Sequence, residues 1–396
     1  MMQISPETQL FIREHSSDDV RVLALQAKKY PDIDMPTAIT QIAGRKVAAE
    51  KIPSWWEIEK IWYPKHLSLE QCSSEITARY KARLLQGDSL TDLTGGFGID
   101  CSFLATGFKS ATYVERQEEL CEIAAHNFPV LNLNHINIKN EDGVTYLQAM
   151  SPVDCLFLDP ARRNEHGGKT VAISDCEPNV AELEELLLQK ANRVMIKLSP
   201  MLDLSLALKE LKQTQEVHIL SVNNECKELL ILLGQTSPAE ISIHCVNLFT
   251  KGTQKEQHFV FTREQEQCSE CTYTDSLETY LYEPNASLLK AGAFRSIAAA
   301  YPVRKLHPNS HLYTSDTFIE NFPGRIFRIV NQCSFNKKEV KENLADLKKA
   351  NVTVRNFPAT VAELRKRLHL TEGGDTYLFA STLNNGQKVL IRCEKV

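Results

Sequence analysis

Three glycines between a short apolar run and an amphipathic segment constrain the fold of this chain most strongly. The run Ser89–Leu93 predicts a buried strand, and Cys101–Ala105 continues as a helix after Gly95, Gly96 and Gly98. A strand, a glycine-rich turn and a helix form the first unit of a doubly wound α/β sheet. Because glycine has no Cβ and tolerates positive φ, backbone N–H groups at the helix start can approach a ligand closely. The sequence therefore predicts an α/β domain that holds a ligand at this turn.

The residues around the glycines narrow the kind of ligand. A dinucleotide fingerprint needs a third glycine where this chain has Cys101, and a phosphate-binding loop ends in Gly-Lys-Ser/Thr, whereas Gly98 is followed by Ile99 and Asp100. Asp92 and Asp100 flank the turn, and acidic side chains favour a ligand that carries positive charge. The alternative is a tight structural turn without a ligand.

Later apolar runs predict further parallel strands, and the polar residues follow where these strands end. Glu115, Asp142 and Asp159 come after the second, third and fourth runs. Open α/β sheets bind ligands at the carboxyl ends of their strands, and an acid about twenty residues after the glycine turn can accept hydrogen bonds from a ribose. The runs are Ser110–Val114, Ile136–Ile138, Val153–Leu158 and, as the fifth strand, Arg193–Leu198.

This order of motifs resembles the class I S-adenosylmethionine-dependent methyltransferases. The resemblance implies a Rossmann-like α/β fold with a seven-stranded, mostly parallel sheet, and S-adenosyl-L-methionine as the cofactor. It also implies that the segment just before the glycine turn closes over the methionine end of the cofactor, with a plain scaffolding helix as the alternative there. The cofactor-binding residues that it implies are Asp92, Thr94, Gly95, Gly96, Gly98, Asp100, Glu115, Asp142 and, before the turn, Thr77, with Tyr80 and Lys81 as further candidates.

The segment Asp159-Pro160-Ala161-Arg162 matches the catalytic-strand motif of this class, with Asp159, Pro160 and Arg162 as the catalytic candidates. Asp159 and the Pro160 carbonyl could accept hydrogen bonds from an exocyclic base amine and orient its lone pair. Enzymes that methylate such amines usually carry Pro and an aromatic residue where this chain has Ala161 and Arg162. Arg162 could stack on the base instead or hold a phosphate.

The same motif resembles that of the uracil-C5 methyltransferases, which need a nucleophilic cysteine after the fifth strand. This chain has Ser199 there and Cys226 one strand later, so N-methylation is the favoured prediction. Arg163 and Lys169 flank Gly167 and Gly168 and are predicted to contact the acceptor from a mobile loop; a plain solvent loop is the alternative.

The C-terminal part resembles that of a bacterial family of methyltransferases with a THUMP-like domain, a module that recognises RNA in several tRNA-modifying enzymes. Residues 285–370 contain 15 Lys and Arg against 6 Asp and Glu, a net charge of +9, whereas the whole chain carries −5. Basic faces supply most nucleic-acid affinity. The favoured partner is therefore tRNA or rRNA, and the alternative is that these charges are solvated helix faces. The substrate-binding candidates are Arg304, Arg325, Arg328 and Arg355.

The predicted organisation has four parts. Residues 1–85 form an N-terminal helical cap, and residues 86–265 form the methyltransferase domain. Residues 276–321 form a small α/β, ferredoxin-like module, and residues 322–396 form the THUMP-like module, with the polar segment Arg263–Ser276 as a linker. The two C-terminal modules are small α+β units.

Composition bears on the cell compartment and on metals. No apolar run approaches the ~18–20 residues of a membrane span, so we expect a cytoplasmic protein. Eleven scattered cysteines predict free thiols without disulfides. Cys268 and Cys271 have the spacing of a metal or redox pair, but a structural zinc needs a second pair, so no metal site is predicted. The function predicted is RNA-base methylation; the alternatives are a protein or small-molecule methyltransferase and an inactive RNA-binding protein.

Overall fold

The computed structural model describes residues 4–162, 172–236 and 238–396. The chain forms two compact units, and each is described by itself. Unit 1 comprises Met1–Glu216 and Leu229–Pro238, and unit 2 comprises Val217–Glu228 and Ala239–Val396. Among the described helices, none combines the length and the apolar character that a membrane crossing needs.

Unit 1 begins with helices, as the amphipathic starts in residues 1–85 predict. Phe11, Leu23 and Ile42 are buried in a small core of the first three helices. Ser74 stands at the N-cap of the sixth helix as predicted, but its hydroxyl makes no hydrogen bond to the helix backbone. The helices are α1 Pro6–Glu14, α2 Val20–Leu25, α3 Met35–Lys51, α4 Pro53–Trp56, α5 His66–Gln71 and α6 Glu75–Ala82.

The described part of the chain then forms a nine-stranded sheet with helices between its strands. Its elements are β1 Ser89–Asp92, α7 Ile99–Ala105, β2 Ser110–Glu115, α8 Glu118–Val130, β3 Ile136–Asn140, α9 Gly143–Ala149, β4 Val153–Leu158, α10 Val180–Lys190, β7 Ala191–Leu198, α11 Leu204–Glu210, β8 Thr214–Val222, β9 Glu225–Gly234, β10 Ser242–Leu248 and β11 Glu256–Thr262. Between β4 and α10, the short strands β5 Ala161–Arg162 and β6 Cys176–Glu177 pair with each other.

The strand order is β11-β10-β8-β9-β7-β4-β1-β2-β3. Strands β3, β2, β1, β4 and β7 run parallel, and β9 runs antiparallel to β7, as the class I pattern predicts. The sheet has nine strands, two more than the seven of the class I pattern. Strands β10 and β11, which the sequence indicates as an added hairpin, pair with each other and belong to the same sheet, because β10 lies beside β8.

Unit 2 carries a seven-stranded sheet in the order β13-β14-β12-β15-β18-β17-β16. The hairpin between the last two strands turns at Gly386, whose φ of 86° suits glycine, as predicted. Residues 263–268, predicted as part of a polar linker, are a helix instead. The elements are α12 Arg263–Cys268, β12 Tyr280–Pro284, α13 Ala286–Ala291, α14 Ser296–Ala300, β13 Arg304–Lys305, β14 Tyr313–Ser315, β15 Gly324–Ser334, α15 Lys337–Leu344, β16 Asn351–Val354, α16 Val361–Leu368, β17 Thr376–Thr382 and β18 Lys388–Lys395.

Candidate active site

The polar residues predicted from the strand ends lie along one edge of the parallel part of the sheet. Because β7, β4, β1 and β2 are parallel neighbours, their carboxyl ends share this edge. Asp92 ends β1, Glu115 ends β2, Asp159 follows β4, and Lys197 is the penultimate residue of β7. The topology therefore brings residues far apart in sequence to one place in unit 1.

The three glycines of the turn have different structural roles. A Cβ on Gly95 would lie 2.2 Å from the Tyr113 ring, and one on Gly98, which has a φ of 85°, would lie 3.1 Å from Phe128. Gly96 also has a positive φ, 55°, but a Cβ there would meet no atom nearer than 3.8 Å. Packing thus requires Gly95 and Gly98, whereas Gly96 leaves an open face at the turn.

The side chain of Phe97 fixes the turn against the N-terminal helices. It is buried in a hydrophobic cluster that contains Trp55 and Tyr63, and its ring meets the Trp55 ring edge to face at a centroid distance of 5.2 Å. Aromatic pairs in this geometry add about 0.5–1.5 kcal/mol to the burial of their area. The helical cap therefore holds the backbone of the glycine turn in place.

Glu115 joins β2 to the turn. Its carboxylate accepts hydrogen bonds from the N–H groups of Gly96 at 2.9 Å and Gln117 at 2.8 Å. Asp142 lies beyond β3, where it is exposed and caps α9 by accepting from the N–H groups of Val144 and Thr145, both at 3.0 Å. Helix capping explains the position of the Asp142 side chain without a ligand, whereas Glu115 lies directly at the glycine turn.

A buried cluster of charges occupies the centre of this edge. Lys81 of α6 lies 2.9 Å from Asp100 Oδ1, and Ser73 donates to Asp100 Oδ2 at 2.7 Å. Lys197 Nζ lies 3.3 Å from Asp100 Oδ2 and 2.5 Å from Asp159 Oδ2, and it donates to Ser73 Oγ at 3.0 Å. The cluster links the last cap helix, the helix after the glycine turn and two strands of the sheet.

Asp92 lies at the same edge with one oxygen unsatisfied. Its Oδ1 accepts from the Thr94 N–H at 3.0 Å, but its Oδ2 is buried and has no hydrogen-bond partner within the described ranges. Burial raises the pKa of Asp92 well above its usual value, and the nearby Asp100 and Asp159 raise it further. Thr94 connects Asp92 to the Asp159-Pro160-Ala161-Arg162 segment, because its Oγ1 accepts from the Asp159 N–H at 2.6 Å. A buried acceptor without a donor indicates a place for a ligand.

The other two carboxyl groups of the cluster are shifted in opposite directions. Burial raises the pKa of Asp159, and the Lys197 ammonium offsets this only in part. Burial also opposes ionisation of Asp100, but Lys81 and Lys197 together outweigh it, so the pKa of Asp100 is lowered. Two carboxyl groups with different ionisation behaviour are thus held by one shared lysine, an arrangement typical of functional sites.

Sequence reasoning missed Ser73 and Lys197. A lysine in the otherwise apolar run Arg193–Leu198, near its carboxyl end, was a usable signal, because a charge in a buried parallel strand needs a partner. Thr77 is buried on α6 and donates to the Ser74 carbonyl at 3.0 Å. Pro160 is buried, and the backbone of Arg162 pairs with β6. The predicted contacts of Arg163 and Lys169 lie outside the described residues.

The arginines predicted to bind substrate all form ion pairs inside unit 2. Arg325 and Arg355 both contact Glu283, which is only 2% exposed; Arg325 Nε donates at 2.8 Å and Arg355 at 3.1 Å. Arg304 pairs with Glu278, and Arg328 pairs with Glu394 at 2.7 Å. The ion pairs with buried Glu283 give Arg325 and Arg355 a structural role that requires no RNA.

Exposed basic side chains lie elsewhere in the C-terminal part. Helix α15 and the turn after it carry five exposed lysines, and α16 adds two exposed basic residues. One of these, Arg367, lies over the Phe335 ring at 3.9 Å. They are Lys337, Lys338, Lys341, Lys348, Lys349, Lys366 and Arg367, and we call them the basic face.

The fold and the strand-end site are those of a Rossmann-like α/β protein of the methyltransferase type. A crystal structure of a "putative methyltransferase" from Porphyromonas gingivalis W83 matches the chain with 34% identity and a TM-score of 0.87, covering 100% of both chains. The chain belongs to the family of this Porphyromonas protein.

The C-terminal part matches two family models. Residues 280–323 match a ferredoxin-like domain, and residues 324–395 match a THUMP-like domain. The chain therefore has a THUMP-like domain at its C-terminus. No protein with a curated description matches the chain.

More distant structures cover about two fifths of the chain. An rRNA methylase from Streptococcus thermophilus has 14% identity and a TM-score of 0.30 over 40% of this chain and 93% of its own. A methyltransferase structure from Streptococcus mutans in complex with SAH has 12% identity and a TM-score of 0.30, over 40% of this chain and 96% of its own. Likenesses this weak carry no argument about function.

Proposed function

We propose that the chain is an S-adenosylmethionine-dependent methyltransferase that acts on a base of tRNA or rRNA, with an exocyclic amine as the favoured acceptor. The observation that carries this proposal is the single edge of unit 1 where the open Gly96, Glu115 and the cluster around Asp159 meet. Membership of the same family as the Porphyromonas protein supports it.

The residues present fit this cofactor. Gly96 leaves an open face that any Cβ would enter, and Glu115 stands at the end of β2, where an acid can bind ribose hydroxyls. The unsatisfied Oδ2 of Asp92 can accept a hydrogen bond from a cationic or N–H-bearing group. Lys81 and Asp100 form a buried ion pair that supports this edge from behind. Gly96, Glu115 and Asp92 would therefore hold the cofactor.

When bound, S-adenosylmethionine would supply a methyl group attached to a sulfonium sulfur, and this sulfur departs readily as a neutral thioether. The protein mainly has to position the acceptor and keep its lone pair free. Lys197 holds Asp159 Oδ2, and the Thr94 hydroxyl holds the Asp159 N–H, so the carboxyl group is fixed in orientation. Asp159 Oδ1 and the Pro160 carbonyl would accept hydrogen bonds from the acceptor amine. The raised pKa of Asp159 makes this carboxylate a better acceptor for the amine proton that is lost on transfer.

The thiol of Cys226 argues against the C5 alternative. A nucleophilic cysteine reacts as the thiolate, and burial raises the pKa of Cys226 to about 11. The thiol therefore stays protonated at neutral pH. Asp159 and Lys197, by contrast, form a hydrogen-bonding pair suited to an amine. This difference favours N-methylation.

RNA binding is assigned to the THUMP-like domain and, within it, to the basic face. Exposed lysines can bind phosphate without breaking an existing ion pair. Arg325 and Arg355, by contrast, already neutralise the buried carboxylate of Glu283. Charge reversal at Lys337 and Lys341 should weaken RNA affinity and reduce its dependence on salt, whereas Lys395→Glu, outside this face, should not. Equal effects would mean that the basic face does not bind RNA. We retain the four-part division predicted from the sequence as part of this proposal.

The function is tested by transfer of labelled methyl from S-adenosylmethionine to small RNA and rRNA from cells that lack this gene. Label in one RNA fraction, abolished by Asp159→Ala, would establish the activity and provide the material for nucleoside mass spectrometry. A protein that binds the cofactor but labels no RNA would direct the search to protein or small-molecule acceptors. Failure to bind the cofactor would leave the inactive RNA-binding protein as the alternative.

A further inference from the structure

Three histidines of unit 2 form a stack across neighbouring strands. His218 lies on β8, His244 on β10 and His258 on β11, and β10 lies between the other two strands. The ring centroids of His218 and His244 are 4.3 Å apart at an interplanar angle of 16°, and those of His244 and His258 are 5.3 Å apart at 27°. The proposed methyl transfer uses none of these side chains.

The register of β10 and β11 explains how these strands bring His244 and His258 together. His244 pairs with Val260, and Val246 pairs with His258, so both histidines lie on one face as diagonal neighbours. Gln257, the next residue along β11, faces the other way and accepts from Asn285 at 3.2 Å. The histidine face is therefore distinct from the face that carries Asn285.

The spacing of the imidazole nitrogens is that of metal ligands. His244 Nδ1 and His258 Nε2 are 3.2 Å apart. A tetrahedral zinc ion with Zn–N bonds of about 2.0–2.1 Å separates neighbouring ligand nitrogens by about 3.3 Å. A ligand nitrogen of His218, a ligand nitrogen of His244 and a carboxylate oxygen of Glu216, two residues earlier on β8, lie within 4.8 Å of one another. A direct hydrogen bond between the His244 and His258 rings would give the same 3.2 Å.

Burial of the three side chains is graded. His218 is 2% exposed, His244 is half-buried and His258 is exposed, so an ion could enter from solvent and meet its innermost ligand in a protected position. Neutral imidazole is a ligand for Zn²⁺, Cu²⁺ and Ni²⁺ rather than for Mg²⁺ or Ca²⁺, which prefer oxygen.

We propose that His244 and His258 bind one divalent transition-metal ion, with Zn²⁺ as the best fit, that His218 reaches this ion after rotation of its ring, and that a fourth position is left to water. This site is independent of the proposed methyl transfer and differs from the prediction that the chain holds no metal. Bound metal would cross-link three strands, and it would stabilise the folded state by mass action.

The full-length protein, stripped with a chelator, is titrated with Co²⁺ as a spectroscopic substitute for Zn²⁺. We expect one Co²⁺ per chain with the visible absorption of a tetrahedral nitrogen-ligated site, displaced by Zn²⁺. His244→Gln and His258→Gln should each weaken binding at least about tenfold. His258→Gln changes an exposed side chain, so its folding is not at risk even if His244→Gln destabilises the sheet.

Two controls make the outcome specific. His369→Asn removes an exposed histidine outside the stack, where Asn tolerates the φ of 53°, and it should leave binding unchanged. Replacing Cys268 and Cys271 with Ser should also leave it unchanged and excludes thiolate ligands. Absence of the Co²⁺ absorption, or equal affinity in wild type and His258→Gln, would overturn the proposal and leave an imidazole hydrogen bond as the reason for the stack.

Discussion

Each of the two units buries a cluster of charges, and the two clusters differ in how completely they are paired. In unit 2, both oxygens of Glu283 are taken by arginines, Arg325 on one and Arg355 on the other. In unit 1, Lys197 divides one ammonium between Asp100 and Asp159, and Asp92 keeps a buried oxygen without a partner within the described ranges. Burial of charge alone therefore does not mark a functional site. Within the described residues the clusters differ in the kind of atom left without a partner: in unit 1 it is an acceptor, Asp92 Oδ2, and in unit 2 it is a donor, Arg355 Nε.

The location of each cluster supports the same distinction. The cluster of unit 1 lies at the carboxyl edge of parallel strands, beside a glycine turn with an open face. Glu283 lies on β12 and its partner Arg325 on the neighbouring β15, at directly paired positions of an antiparallel pair. That pair joins the segment matching the ferredoxin-like model to the segment matching the THUMP-like model. The first arrangement leaves room for a ligand, and the second holds two segments together.

The largest effect is expected from Asp159→Asn. It keeps the shape of the side chain but removes the carboxylate that Lys197 orients, so methyl transfer should fall about 10²–10³-fold while the melting temperature stays the same or rises. Asp154→Asn, on the same strand, is the matched control. Asp154 accepts from the N–H groups of Asp88 and Ser89, so this variant should lose stability and keep its rate. Equal rates in the two variants would contradict the role of Asp159.

The next effect tests the cluster of unit 2. Glu283→Gln leaves Arg325 and Arg355 facing a neutral amide; breaking a buried pair costs about 3–5 kcal/mol. Because the arginine side chains are 32% and 35% exposed, solvent screens part of this loss, and we expect the free energy of unfolding to fall by about 2 kcal/mol. Denaturant unfolding measures it. Glu394→Gln, which breaks an exposed pair with Arg328, should change the free energy by less than about 0.5 kcal/mol.

A smaller effect on stability is expected from replacing Gly98 with Ala, and Gly107 is the matched control. Gly98→Ala would place a Cβ at a φ of 85° and 3.1 Å from the Phe128 ring, so it should lower the free energy of unfolding by about 1–2 kcal/mol. Gly107→Ala meets only the Leu104 carbonyl at 3.7 Å, at a φ that is not positive, and should be neutral or slightly stabilising. Thermal unfolding of the two variants gives the comparison. A stable Gly98→Ala protein would show that the turn can rearrange.

The smallest expected effect is the opposite pH dependence that Asp100 and Asp92 give to the free energy of unfolding. The lowered pKa of Asp100 means that its ionised form stabilises the fold above about pH 4, and this stability is lost as the pH falls through the lowered pKa. Asp100→Asn should therefore destabilise at pH 7 and cost little in acid. The raised pKa of Asp92 means the reverse, since its ionised form costs stability as the pH rises above about 4.

Asp92→Asn should accordingly stabilise the ligand-free protein at pH 7, and this gain should disappear as the pH falls toward about 4. The free energy of unfolding of both variants and the wild type, measured from about pH 2 to pH 8, tests the two signs together. The same sign for both substitutions at pH 7 would contradict the assignment of Asp92 as the unsatisfied member of the cluster.

The strand-end residues of unit 1 could be predicted from the sequence, because each motif lies within a few residues of the strand that positions it. The glycine turn, Glu115 and the Asp159 motif each follow a short run that predicts a strand, and parallel topology then places the ends of these strands on a common edge. The contacts of Ser73 with Asp100 and of Lys197 with Asp159 could not be predicted from the sequence, because these pairs are 27 and 38 residues apart and meet only after the sheet has formed.

Other differences between the sequence predictions and the structure concern residues 263–268, the hairpin β10–β11 and two arginines. Residues 263–268 read as a polar linker, yet Thr262 and Gln265 form a capping box that begins α12, and the spacing of these two residues was a usable signal. The hairpin β10–β11 was predicted, but not that it enlarges the main sheet to nine strands, since no local pattern specifies which edge strand a hairpin joins. The pairing of Arg325 and Arg355 with Glu283 likewise depends on β12 and β15 being neighbours.

Titration with S-adenosylhomocysteine tests most directly whether the cluster of unit 1 around Asp92 and Asp159 is a binding site and the cluster of unit 2 around Glu283 is not. Calorimetry should give one ligand per wild-type chain and the same affinity for Glu283→Gln. Gly96→Ala, whose Cβ would enter the open face of the turn and meet no protein atom nearer than 3.8 Å, should bind at least about tenfold more weakly. No binding to wild type, or wild-type affinity in Gly96→Ala, would contradict the account.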